Sequence, residues 1–82
     1  MGESLKQLCD RLRGELLDIE KQAREIIRHN DLEQPAQPGA NHGEARAQSM
    51  LAVRHIEDAR MRLGKVLQWS RDGVSTYDKA VR

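Results

Sequence analysis

The chain has 82 residues, with 14 Lys and Arg against 13 Asp and Glu, a net charge of +1, one Cys and 2% aromatic residues. A chain this short folds as one domain that buries only about 60% of its unfolded surface, and its single Cys excludes an internal disulfide. The balanced charge argues against a DNA or RNA polymer as partner, because small binders of polyanions carry a marked basic excess.

The opening MGESLKQL has no apolar signal core, and Lys6 stands where a myristoylation motif would place Ser or Thr. No apolar run approaches the roughly 18 residues that would span a bilayer. The expectation is a protein of the cytoplasm in which Cys9 is a reduced packing residue rather than a nucleophile. Ser4 is the candidate N-cap of a first helix over about 5–29, with Gln7 in the place of the capping-box Glu. Its apolar stripe, Leu5, Leu8, Leu12, Leu16, Ile19, Ala23 and Ile26, keeps a spacing close to 3.5. Leu17 and Ile27 widen the stripe to a second flank, as an element packed on more than one neighbour requires. Gly14 costs about 1 kcal/mol relative to Ala and reads as a point of close contact rather than a helix end.

Asn30-Asp31 begins a break, and QPAQPGANHG over 34–43 contains two prolines and two glycines that cannot continue a helix. The loop over about 30–43 is long for a connection, so it has length to pack on a neighbour or close over a ligand. A second helix then runs over about 44–70, with Asn41 or Gly43 near its cap. Two helices of similar length joined by one loop give an all-α antiparallel hairpin. Arg71-Asp72-Gly73 ends the second helix with Gly in a left-handed cap. The last residues, VSTYDKAVR, form a final turn or a tail that crosses to another subunit.

The second helix carries the most informative segment, HIEDARMRLGK over 55–65. Ala52, Ile56, Ala59, Leu63 and Val66 follow a 4-3-4-3 spacing that marks one helical stripe. Around them stand Arg54, His55, Arg60, Arg62 and Lys65, with only Glu57 and Asp58 as local counter-charges. Small residues in the stripe allow two backbones to approach closely. With no Phe and only Trp69 and Tyr77 as large rings, the apolar stripes need other copies of the chain to complete a core. Self-association into a symmetric homo-oligomer is therefore expected.

Catalysis and metal binding find no support. His29, His42 and His55 lack ligand spacing, and the adjacent Glu57 and Asp58 diverge by about 100° on a helix and cannot act as a pair. No catalytic residue, metal site or cofactor is assigned, and the chain is not read as an enzyme. Phosphodiester capture needs only multi-donor cations on a rigid frame, and Arg suits both bidentate phosphate contacts and stacking on purines. Arg60 and Arg62 flank Met61 and point apart in one hairpin, so in an oligomer each can face a different neighbour. Lys65 supports the Arg62 side. The bland alternative for these residues is an intrahelical pair, Arg54 with Asp58 or Asp58 with Arg62, on a merely solvated face. Tyr77 is the better candidate to stack on a base, and Trp69 reads as a packing residue at the hairpin end.

The run AVRHIEDARMRLGKVLQ resembles the helical hairpin domain shared by small phage proteins that block CBASS and Thoeris immunity. The similar part covers about 41–68 and is strongest over 54–65, in a His-acidic-acidic-Ala-Arg-Met-x-Leu-Gly pattern. The first helix agrees in placement and amphipathic character only. The resemblance implies a sponge in the host cytoplasm that sequesters cyclic di- or trinucleotides or cyclic ADP-ribose variants without cleaving them. It also implies ligand pockets between protomers, in some assemblies of a hexamer. On that reading the ligand-binding residues are Arg60, Arg62, Lys65, Arg54, His55 and Tyr77, with Lys21 and Arg24 added by charge and position alone. The reading from another class is a coiled-coil module that binds a protein and no small ligand. A small DNA-binding regulator is disfavoured by charge and by the lack of a short helix-turn-helix connection.

Overall fold

The computed structural model describes residues 2–70. They form three helices, α1 (Leu5–Ile27), α2 (Asn30–Glu33) and α3 (His42–Trp69). Helix α1 starts where Ser4 caps it: the Gln7 amide donates to Ser4 Oγ at 3.1 Å and the Ser4 amide donates to Gln7 Oε1 at 2.9 Å. Gln thus completes the reciprocal box as Glu would, because either side chain offers a carbonyl-type acceptor. Asn41 caps α3 by accepting from the Glu44 amide at 2.9 Å. The expected left-handed cap at Gly73 and the tail lie outside the described residues, and α3 ends on Ser70 as C-cap.

Between the long helices the chain does more than loop. Helix α1 stops at Ile27, two residues before the expected end, and the single-turn α2 occupies the place where a break was expected to begin. His29 sets this turn up, its Nδ1 accepting from the Asp31 amide at 3.1 Å. Asp31 and Glu33 then lie in the first turn, where helix-terminal amides favour negative charge. Gln37-Pro38-Gly39-Ala40 closes with the Ala40 amide donating to the Gln37 carbonyl at 2.9 Å. Gly39 has φ +86°, the left-handed conformation that the third place of a type II turn demands.

Helices α1 and α3 pack antiparallel. Arg46 Nε donates to the Ile27 carbonyl, Arg60 meets Glu20, and Arg13 lies over Gly64, so ascending positions on α3 meet descending positions on α1. The row of α1 turned toward α3 is Cys9, Leu12, Leu16, Glu20, Ala23 and Ile27, and α3 answers with Ser49, Val53, Ile56, Arg60, Leu63 and Leu67, all buried or half-buried. This differs from the sequence stripes. On α3, Ile56 and Leu63 lie at the helix contact, whereas Ala52, Ala59 and Val66 are exposed on its side. On α1, Leu8, Ile19 and Ile26 are exposed in the same way, and Leu5 is exposed at the start of the helix. The cause is that the inward rows admit polar residues, Glu20 and Arg60, which a stripe built from apolar letters passes over.

Among the described residues, the only apolar side chains that reach full burial are Cys9 and Val53, 3% and 4% exposed. The close approach expected at Gly14 is absent, since a methyl group there would meet nothing within 4 Å. Gly64 has that role instead. No helix is long and apolar enough to cross a membrane among the described residues.

Candidate functional site

The basic residues of α3 separate onto three sides of the helix. Arg60 turns inward. Its Nη2 reaches Glu20 Oε1 at 3.3 Å, while Glu20 Oε2 takes Arg24 Nη2 at 3.2 Å. Arg24 also donates to Glu57 across the helix contact. Two guanidinium groups and two carboxylates therefore form one network that bridges α1 and α3 and carries no net charge. Glu20 is its buried member, 6% exposed, and two cations are what a buried carboxylate needs to stay ionised. Arg60 Nε is buried with no hydrogen-bond partner.

Arg62 lies on the outer side, about 160° from Arg60 in projection. Its Nε donates to Asp58 Oδ2 at 3.1 Å, and both side chains are exposed. This is one of the two intrahelical pairs that the spacing allows; the other, between Arg54 and Asp58, does not form. His55 and the 73% exposed Trp69 share the outer side with Arg62, so Trp69 does not pack in the hairpin end as expected. Arg54 and Lys65 occupy one lateral flank, within about 20° of each other in projection, exposed and without a carboxylate partner. Lys21 is exposed on the same flank of the hairpin as Arg24, the α1 residue that reaches Glu57. Tyr77 lies outside the described residues.

One residue of this flank escaped the sequence reading. Arg13 lays its guanidinium over Gly64, with Cζ, Nη2 and Nε 3.6 to 3.8 Å from where a Gly64 methyl group would stand. It forms no ion pair or hydrogen bond among the described residues. A glycine in the inward row, two places after Arg62, was the available signal that something from α1 lies flat against the α3 backbone there. Arg13 and Lys65 thus present unneutralised positive charge on the same flank, while Arg24 and Arg60 spend theirs on Glu20 and Glu57.

A cleft of about 470 Å³ lies at the other end of the hairpin, between Asp31, Gln34, Pro35, Gln37, Ala40 and His42. It is lined by a carboxylate and by no Arg or Lys, which suits an anion poorly. The described residues contain no group of three or more His, Cys, Asp or Glu placed to hold a metal. One hairpin thus offers rigid cations on an open flank rather than an enclosed basic pocket. Comparison with known proteins gives no matching family model, no matching curated protein and no matching solved structure.

Proposed function

We propose that the chain is a self-assembling helical hairpin that captures a cyclic oligonucleotide or a cyclic ADP-ribose-type messenger and holds it without cleaving it. The observation that carries this reading is the flank bearing Arg13, Arg54 and Lys65, cations on well-formed helices with no carboxylate of their own. Phosphate oxygens are the natural partners of such groups, and a helical frame spares the ordering cost of a flexible loop. Because one hairpin leaves this flank open, a ligand becomes enclosed only when a second protomer covers it. The resemblance over 54–65 supplies the messenger class and the setting, a phage protein acting in the host cytoplasm and assembling as far as a hexamer. Arg62, His55 and Tyr77 belong to the site on this reading only if a neighbouring copy brings them to the flank. Arg60, held by Glu20 and with its Nε buried, belongs to the site only if that network opens.

Calorimetric titration of the purified protein with a panel of cyclic di- and trinucleotides and cyclic ADP-ribose variants tests the proposal. At least one ligand binds and raises the melting temperature by mass action, and denaturing the complex returns it chemically unchanged. Arg62→Ala and Lys65→Ala, both at exposed positions, keep the wild-type helix content. Each loses a charge-assisted contact of about 1.5–3 kcal/mol, which weakens binding by one to two decades. Binding of no member of the panel would leave the ligand-free interaction module as the better reading, and steady turnover would end the sponge mechanism.

A further inference from the structure

Two helices packed side by side touch along a line and leave two flanks open, and here the flanks differ in chemistry. The Arg24–Glu57 pair and the Arg13–Gly64 contact identify one flank, which also bears Arg54 and Lys65. A helical projection at about 100° per residue places Leu8, Ile19 and Ile26 of α1 on the opposite flank, with Ala52 and Ala59 of α3. These three large aliphatic side chains are 37%, 48% and 50% exposed. Half-buried Leu12, Ile56 and Leu63 fill the floor between the two rows. Gln22 and Gln48 stand toward the rim of that flank, and Glu15, its one carboxylate between Leu8 and Ile19, is paired with Arg11 at 3.0 Å.

We propose that this apolar flank is where two copies of the chain pack against each other, closing a four-helix layer around a shared core. A second copy suits it on three counts. The hairpin alone fully buries only two apolar residues among those described, too few for a domain of this size to stay folded. The flank is about 27 Å long by about 20 Å wide, given the helix rise and a helix separation of 8–10 Å. Two such faces bury about 1,100 Å² together, just above the roughly 1,000 Å² that a specific interface clears. The face also has a self-complementary composition, large side chains along α1 and alanines along α3, so a two-fold axis can set ridge into groove on both halves. The basic flank then lies on the far side of each protomer, free of this contact, where a ligand and a further protomer can meet it. This pairing does not depend on ligand capture.

Sedimentation of the full chain at micromolar concentration, without nucleotide, tests it. Wild type runs at twice the protomer mass of 9.4 kDa or a multiple of that. Ile19→Glu/Ile26→Glu raises the dissociation constant about a hundredfold or more, since it places charge in a dry contact. Arg54→Glu/Lys65→Glu, on the other flank, leaves it unchanged. Because the first variant can also unfold, intermolecular nuclear Overhauser effects in a mixed-label wild-type sample give a second readout. They connect methyl groups of Leu8, Ile19 or Ile26 to another copy. A folded wild-type monomer overturns the proposal, and so do intermolecular contacts confined to the basic flank. Wild-type association of the Ile19→Glu/Ile26→Glu variant overturns it as well.

Discussion

Truncating Arg60 to Ala separates structural duty from ligand duty in the α3 cations. Glu20 is buried and its carboxylate meets two guanidinium groups, Arg60 at 3.3 Å and Arg24 at 3.2 Å. Removing Arg60 deletes one charge-assisted hydrogen bond, worth about 1.5–3 kcal/mol. The low end applies, because Arg24 still neutralises Glu20 and Arg60 is itself one-third exposed and partly screened. A loss of about 1.5 kcal/mol lowers the melting temperature of a domain this size by about 6–12 °C. The assay is a thermal melt followed by circular dichroism at fixed protomer concentration, since self-association makes the midpoint depend on concentration. Glu20→Leu alone strands Arg60, while Arg24 keeps Glu57, and costs a similar amount. The Glu20→Leu/Arg60→Leu double variant recovers most of either loss, because an apolar pair of similar volume replaces a buried ion pair at little or no cost. With Arg60→Leu as the matching single variant, the double-mutant cycle then gives a coupling of at least about 1 kcal/mol. If Arg60→Ala melts within 2 °C or so of wild type, the network does not hold the helices together and Arg60 is available for ligand after all.

Two further outcomes follow from local geometry. Gly64→Ala stabilises the chain by up to about 1 kcal/mol, since the new methyl meets Arg13 at ordinary contact distances of 3.6–3.8 Å while Ala has the higher helix propensity. Gly64→Leu displaces the Arg13 guanidinium and weakens ligand binding without loss of helix. Near the N-terminus, Glu3 titrates below its ordinary value of 4.5, chiefly because Arg11 hydrogen-bonds its carboxylate. A lowered folded value means that this contact is fully stabilising above the unfolded value and is lost as pH falls through the folded one. Carbon-detected titration of Glu3 shows the low midpoint, and Arg11→Ala returns it to the ordinary range; a wild-type midpoint at or above 4.5 refutes the contact.

The helices were legible because their punctuation is chemical and local. Ser4 and Asn41 can satisfy the first amides of a helix wherever they occur, and Pro35, Pro38 and Gly39 forbid one. The short α2 was not legible, because its cap is a histidine, a residue outside the usual capping set. The apolar rows were read as single stripes, whereas the chain divides each of them. Leu12 and Leu16 face α3, but Leu8, Ile19 and Ile26 stand on the side. A spacing near 3.5 cannot tell a row that faces a neighbour in the same chain from one that faces a neighbour in another copy, since both need the same period.

The cation cluster shows the same limit in electrostatic terms. Five basic residues between 54 and 65 look equivalent in sequence, yet Arg60 finds its partner 40 positions away and Arg62 finds one within its own helix. Glu20 claims Arg60, Glu57 is taken by Arg24, and Asp58 holds Arg62 within its own helix. What remains uncommitted on α3 is Arg54, His55 and Lys65, to which Gly64 adds Arg13 from the other helix. Charge left over after the interior has been neutralised is the charge available to a ligand. That residue-by-residue subtraction requires the register of the two helices, and the register is set by Glu20, an acidic residue in an inward row where an apolar one would fit the period equally well. A buried carboxylate facing Arg60 disfavours other registers of α1 along α3, because they leave it with Arg24 of its own helix as sole partner. The network thus fixes which cations are consumed and, by the same contacts, which flank receives the remainder.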